Sequence, residues 1–136
     1  MERILGLDIG EKRIGVALSD PLAMTAQGFK TINRVSMKKD IEEIEKIIND
    51  YEIKKIVVGL PLNMDGSIGD SCEIVKKFSE KLRNKFNLEI IYIDERLTTV
   101  SATRVLLEAD VKRKNRKNVV DKIAASYILQ SYLDKK

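Results

Sequence analysis

The sequence predicts an α/β fold on a mixed five-stranded sheet: an antiparallel three-strand meander, then two parallel strands, with helices on the faces. Three observations lead there. The first 34 residues contain three apolar, alternating runs separated by short turns. The hydrophobic period then lengthens from two to about 3.6 in the later segments. Between those segments lie two short runs, "KKIVVGLPLN" at 54–63 and "EIIYI" at 89–93, apolar on both faces as central parallel strands are.

The elements follow in order. "RILGLDIG" (3–10) alternates as a strand, and "RIGVALSD" (13–20) is a second, close enough across Gly10-Glu11-Lys12 to form a hairpin. Pro21 ends that run. "AQGFKTINR" (26–34) supplies the third strand, Phe29, Thr31 and Asn33 alternating with Lys30, Ile32 and Arg34. In "SMKKDIEEIEKIINDYEI" the residues Ile41, Ile44, Ile47, Ile48 and Tyr51 recur at helical spacing, and Ser36 is a suitable N-cap. The strand at 54–63 is expected to stop at Gly59 and Pro61. A second amphipathic helix runs through Ile74, Val75, Phe78, Leu82 and Phe86. After the strand at 89–93, a helix carries Val100, Ala102, Val105 and Leu106. The basic stretch "KRKNRKN" (112–118) precedes a last helix, "VVDKIAASYILQSYLDKK". The order is β-β-β-α-β-α-β-α-α, read as one domain over residues 1–136.

Composition narrows the chemistry. Of 136 residues 43% are hydrophobic and 34% charged, the balance of a chain that buries a core. No apolar run approaches the ~20 residues needed to span a bilayer, and the N-terminal residues lack the pattern of a signal peptide. The single cysteine, Cys72, excludes an internal disulfide and suits a reducing compartment, so the cytoplasm is expected. The absence of histidine excludes Ser-His-Asp triads and histidine zinc sites. A net charge of +4 permits a polyanionic partner.

Three carboxylates draw the eye. On the first strand Arg3, Leu5, Leu7 and Ile9 share one face, whereas Ile4, Gly6, Asp8 and Gly10 share the other. An ionised Asp8 inside a strand is costly unless paired or coordinated. Pairing with Lys12 or Arg13 is the structural alternative. Glu95 leaves the carboxyl end of a strand, where open α/β sheets place ligands; a solvated turn capped by Thr98 or Thr99 is the alternative. Asp121 reads as a favourable acidic residue near a helix start capped by Asn118. Ala124 and Ala125, however, let that helix approach the sheet closely. Three carboxylates aimed at one end of the sheet suit a metal site better than a salt-bridge network.

In that order and spacing, "GLDIGEKRIGVALSD", "GLPLNMDGS", "DERLTT" and "VDKIAAS" resemble the YqgF/RuvX family over residues 3 to 133. The resemblance implies an RNase H-like fold, similar to the Holliday-junction resolvase RuvC. It also implies a cytoplasmic nuclease maturing the 5′ end of pre-16S ribosomal RNA, within reach of pre-ribosomal particles; family members were earlier described as Holliday-junction resolvases. By motif, Asp8, Glu95 and Asp121 become catalytic and metal-holding residues for Mg²⁺ or Mn²⁺. Two such ions ~4 Å apart would activate water and stabilise the leaving oxygen. Hard cations of this kind need only oxygen ligands, consistent with a chain lacking histidine.

Basic residues fall near the same end. Lys12 and Arg13 sit on the first hairpin, and Arg96 either grips a phosphate or braces Glu95. Lys112, Arg113, Lys114, Arg116 and Lys117 form a basic loop, either solvated or a phosphate clamp. Asp94 reads as a turn residue, with a supporting partner to the metal-holding carboxylates as the alternative. The loop "GLPLNMDGS" reads equally as a structural turn or a substrate contact. Without tryptophan and with 5% aromatics, a base-stacking platform is not expected. RNA or structured DNA is the partner class. A DNA-junction resolvase, favouring a homodimer, is the alternative to an RNA-trimming enzyme, for which a monomer suffices. A non-catalytic nucleic-acid-binding module and an actin-like ATP-binding domain, suggested by "LGLDIGEKRIGVAL", are the remaining rivals.

Overall fold

The computed structural model describes residues 3–63, 65–95 and 116–135. Strands β1 (Ile4–Ile9) and β2 (Arg13–Ser19) pair antiparallel across a tight turn in which the Gly10 N–H donates to the Arg13 carbonyl at 2.9 Å. β3 (Ala26–Asn33) completes the meander. Helix α1 (Met37–Tyr51), strand β4 (Lys55–Leu60), helix α2 (Asp70–Phe86), strand β5 (Glu89–Asp94) and helix α3 (Arg116–Asp134) follow. The sheet order is β3-β2-β1-β4-β5, with β4 parallel to both β1 and β5. This is the mixed five-stranded sheet the sequence predicts. The expected helix bearing Val100, Ala102, Val105 and Leu106 lies outside the described residues.

Strand alternation sorts the core into two layers. Leu5, Leu7 and Ile9, with Ile14 and Val16 of β2 and Ile56 and Val58 of β4, face α1 and α2. Those helices answer with Ile41, Ile44 and Ile48 and with Val75, Phe78 and Leu82. On the opposite face Ile4, Ala17, Val57 and Ile93 meet Ala124, Ala125, Ile128 and Leu129 of α3. Each fully buried side chain of the size of Phe78 or Leu82 contributes about 1.5–3 kcal/mol. Ser36 caps α1 as expected, its hydroxyl accepting from the Lys39 N–H at 3.2 Å. Glu52 and Asn87, both left-handed with φ near 53° and 54°, end α1 and α2 and turn the chain back toward the sheet.

Four local expectations are corrected. Gly59 does not stop β4 but lies within it, held by pairing with Ile93. β5 is an edge strand rather than a central one; Ile90, Ile91 and Tyr92 are only half-buried, because β5 pairs with β4 alone among the described residues. Asp94 is the last residue of that strand, not a turn residue. Helix α3 already includes Arg116, so Asn118 lies inside it and is not its cap, and Arg116 and Lys117 belong to helix rather than loop.

One buried charge ties the layers together. Asp40, 2% exposed, accepts from Arg34 Nε at 3.0 Å and from the Val35 N–H at 3.0 Å. Arg34 also donates to the Gly10 carbonyl at 2.9 Å and stacks over Phe78 at 5.2 Å. A carboxylate this deeply buried requires such partners. Removing the guanidinium in Arg34→Met is expected to destabilise the fold by about 3–5 kcal/mol. Adding Asp40→Asn, which removes the stranded charge, should recover part of that loss, as read from denaturant midpoints. Equal stability of wild type and Arg34→Met would refute the assignment.

Candidate functional site

The carboxyl ends of β1, β4 and β5 open onto a cleft of about 490 Å³ whose lining includes Asp8, Glu95, Asp121, Lys12 and Arg13. Each carboxylate comes from a different element. Asp8 is half-buried near the end of β1. Glu95 directly follows β5, and Asp121 stands in the second turn of α3.

What lets them meet is a row of missing side chains. Asp8 pairs with Gly15 on β2. On the other side Leu7 pairs with Val58 of β4, so one step on in that register Gly59 lies beside Asp8. A Cβ at Gly15 would stand 2.0 Å from the Asp121 carbonyl oxygen. A Cβ at Gly59 would stand 2.7 Å from Glu95 Oε1 and 2.5 Å from Ile128 Cδ1. Asp8 therefore sits between two bare positions, one filled by the backbone of α3 at Asp121 and the other by the side chain of Glu95. The small Ala124 and Ala125, fully or almost fully buried, continue the same close approach along α3.

The charges are arranged with equal economy. Arg13 Nε donates to Asp121 Oδ2 at 2.7 Å, with the two side chains 26% and 14% exposed. Asp121 is thus a partner of Arg13. Lys12, exposed on the hairpin turn, lines the cleft and is available to an anion. Among the described residues no three acidic side chains are drawn into a ready-made cage around one point. The donor set is nevertheless all oxygen and spread over three rigid elements. Hard divalent ions that keep several waters and take one or two carboxylates each fit such a set.

Of the other residues singled out in the sequence, Arg96, Lys112, Arg113 and Lys114 lie outside the described residues, as do Thr98 and Thr99. The loop after β4 is organised as a turn. The Asn63 N–H donates to the Ser67 carbonyl at 3.0 Å, and Asp65 accepts from the Ser67 N–H at 2.9 Å. Among the described residues of that loop, only Pro61 lines the cleft. Glu11, Ser71 and Ile74 also line it and were not anticipated. For the last two the only signal was topological: a helix following a parallel strand begins at the strand's carboxyl end.

A family profile described as Holliday junction resolvase, that of RuvX, matches residues 2–135. The chain belongs to the RuvX family. A Clostridium tetani relative named "Putative pre-16S rRNA nuclease" is 57% identical over 132 residues, covering 97% of this chain and 96% of its own. A Clostridium beijerinckii relative of the same name is 54% identical, with the same coverage. Among solved structures, Thermus thermophilus RuvC in complex with a Holliday junction matches with a TM-score of 0.62 at 7% identity, covering 99% of this chain and 95% of that one. The fowlpox virus Holliday junction resolvase matches with a TM-score of 0.57 at 17% identity, covering 98% and 99%. The RuvX chain thus has the RNase H-like fold of these resolvases. None of its described helices is long and apolar enough to cross a membrane.

The two glycines of this RuvX protein should respond differently to a methyl group. At Gly15 the obstacle is backbone, so Gly15→Ala must push α3 off the sheet and is expected to cost at least about 3 kcal/mol. At Gly59 the obstacles are the ends of Ile128 and Glu95, so Gly59→Ala should cost about 1–2 kcal/mol and displace the Glu95 carboxylate. Denaturant unfolding of both variants checks the order; a costlier Gly59→Ala would contradict it.

Proposed function

We propose that this protein is a divalent-metal-dependent nuclease of the cytoplasm that hydrolyses phosphodiester bonds in pre-16S ribosomal RNA at its 5′ end. The observation that carries the reading is the convergence of Asp8, Glu95 and Asp121 on one cleft that Lys12 and Arg13 also line. The family and the names of the relatives support the reaction class and the RNA substrate.

Asp8, Glu95 and Asp121 would hold Mg²⁺ or Mn²⁺, two ions in all, which when bound supply an activated water and charge neutralisation at the leaving oxygen. The chain's own residues do the positioning. Arg13 fixes the rotamer of Asp121 through its 2.7 Å bond. Gly59 leaves the space in which the Glu95 carboxylate stands beside Asp8. Lys12, on the hairpin turn, offers a mobile positive charge to a phosphate entering the cleft. No described aromatic side chain lines the cleft, so the backbone rather than the bases is what these groups can recognise.

A second reading, cleavage of four-way DNA junctions, is favoured by the description of the family profile. It needs the same hydrolytic site, so substrate competition separates the two.

With Mn²⁺ present, wild-type protein should shorten a pre-16S RNA 5′ fragment in preference to a four-way DNA junction of equal length. Chelation by EDTA should abolish cleavage. Asp8→Asn, Glu95→Gln and Asp121→Asn should each lose more than about 100-fold in rate, since changes in outer-shell groups alone cost about 10–100-fold. Gly59→Ala should remain folded and lose activity with them. Cleavage by Asp8→Asn at the wild-type rate would rule out the carboxylate site, and preferential cleavage of the junction would select the second reading.

A further inference from the structure

The cleft does not end at the carboxylates. Glu11 and Ile74, which line it, also line a depression of about 400 Å³ running past Ser36 and Met37 at the start of α1. Further along α1, Lys38 and Ile41 line a groove of about 440 Å³ against Lys81, Asn84 and Lys85 of α2. The first two depressions share Glu11 and Ile74, and the third lies further along the same two helices.

Lysines stand on both banks of the groove, Lys38 on α1 and Lys81 and Lys85 on α2. On α2, Ile74, Lys77, Lys81 and Lys85 recur at spacings of three and four, which puts them in a stripe on one side of the helix. Lys77, Lys81 and Lys85 are exposed, as is Lys38 on the facing helix. Lys85 is held 3.9 Å from Glu45, but Lys38, Lys77 and Lys81 have no ion pair among the described residues. Glu45 apart, the acidic residues nearest Lys38 are used elsewhere. Glu42 and Glu43 lie on its other flank against β3, where Glu43 pairs with Lys30 and Lys46 at 3.5 Å. The pull of those two lysines holds the Glu43 carboxyl below its ordinary range. On α2, Glu80 is occupied by Arg83. Lys38, Lys77 and Lys81 thus stand exposed along the seam of the two helices, where Glu45 meets Lys85.

We propose that the groove between α1 and α2 carries the phosphate backbone of the substrate strand as it leaves the cleft, with Lys38, Lys77 and Lys81 as its phosphate contacts. The proposal rests on the reading of the cleft as a nuclease site. It deepens that reading by giving the enzyme a second, sequence-independent grip, which sets the length of strand it needs. Lysines suit this role as flexible point charges that follow a backbone without reading bases. From Ser71 at the cleft to Lys81 is ten residues of helix, about 15 Å, a length that only a strand of several nucleotides can span.

The test measures binding in Ca²⁺ buffer by fluorescence anisotropy, using labelled single-stranded RNAs of about 6 and about 20 nucleotides, lengths that bracket typical single-strand sites. Lys38→Gln/Lys81→Gln should bind the long RNA about tenfold more weakly than wild type, with the salt dependence falling by about one unit per lysine removed. Its affinity for the short RNA, and its rate of cleaving that RNA in Mn²⁺, should stay at the wild-type value. Lys39→Gln changes the neighbouring charge on the opposite flank of α1 and should bind both RNAs as wild type does. The groove assignment is overturned if the double variant keeps wild-type affinity for the long RNA, or if Lys39→Gln weakens it equally. Failure of wild type to bind either RNA would instead strike at the nuclease reading, which separates the two failures.

Discussion

Everything at the functional end of this molecule depends on how closely α3 lies against the sheet. A helix normally rests on a sheet through two layers of side chains. Here Gly15 contributes none, and the backbone of α3 at Asp121 occupies the place a Cβ would take. The buried Ala124 and Ala125 continue the contact one turn on. Native interiors are packed too densely for such a contact to be approximate. The position of α3 at Asp121 is therefore set by this steric contact with the sheet.

The same logic governs the other charges. Carboxylates gathered at one end of a sheet repel each other and resist desolvation. The fold answers at Asp121 with a partner that is itself anchored. Arg13 holds Asp121, and Arg13 stands on a hairpin whose turn is secured by Arg34 through the Gly10 carbonyl. Arg34 is in turn fixed by the buried Asp40 and by the ring of Phe78. A chain of contacts thus runs from the core under α1 to the edge of the cleft. It explains why an ion pair far from any chemistry is almost completely sequestered from water.

Much of the architecture was legible because it follows from local periodicity. The alternation of β1 announced which face each residue would take, and Ser36 was recognisable as a cap from its chemistry alone. Asp8, Glu95 and Asp121 were legible as candidates because a charge on a buried strand, at a strand's end or beside a run of alanines needs a reason, and because the motifs around them resemble one family. Gly59 was misread as a strand stop: glycine is a breaker in isolation, but within β4 the hydrogen-bond ladder holds its backbone extended, and its value lies in the side chain it omits. β5 was misread as central because apolar residues on both faces mark burial by any neighbour, helix or strand, and cannot say which. Asn118 was misread as a cap because a helix can begin upstream of its first apolar residue.

The sequence by itself determined the class of the fold, the order of its elements, the faces of its strands and the kind of chemistry open to a chain with carboxylates but no histidine. Those properties are local, or additive over the composition, and short-range periodicity carries them. Only the tertiary structure decided that Gly15 and Gly59 flank Asp8, that Arg13 pairs with Asp121, and that Lys38 of α1 and Lys81 and Lys85 of α2 face one groove. Each joins residues far apart in the chain through strand register and helix packing. Register and packing are settled by the whole core at once, and no single segment contains them.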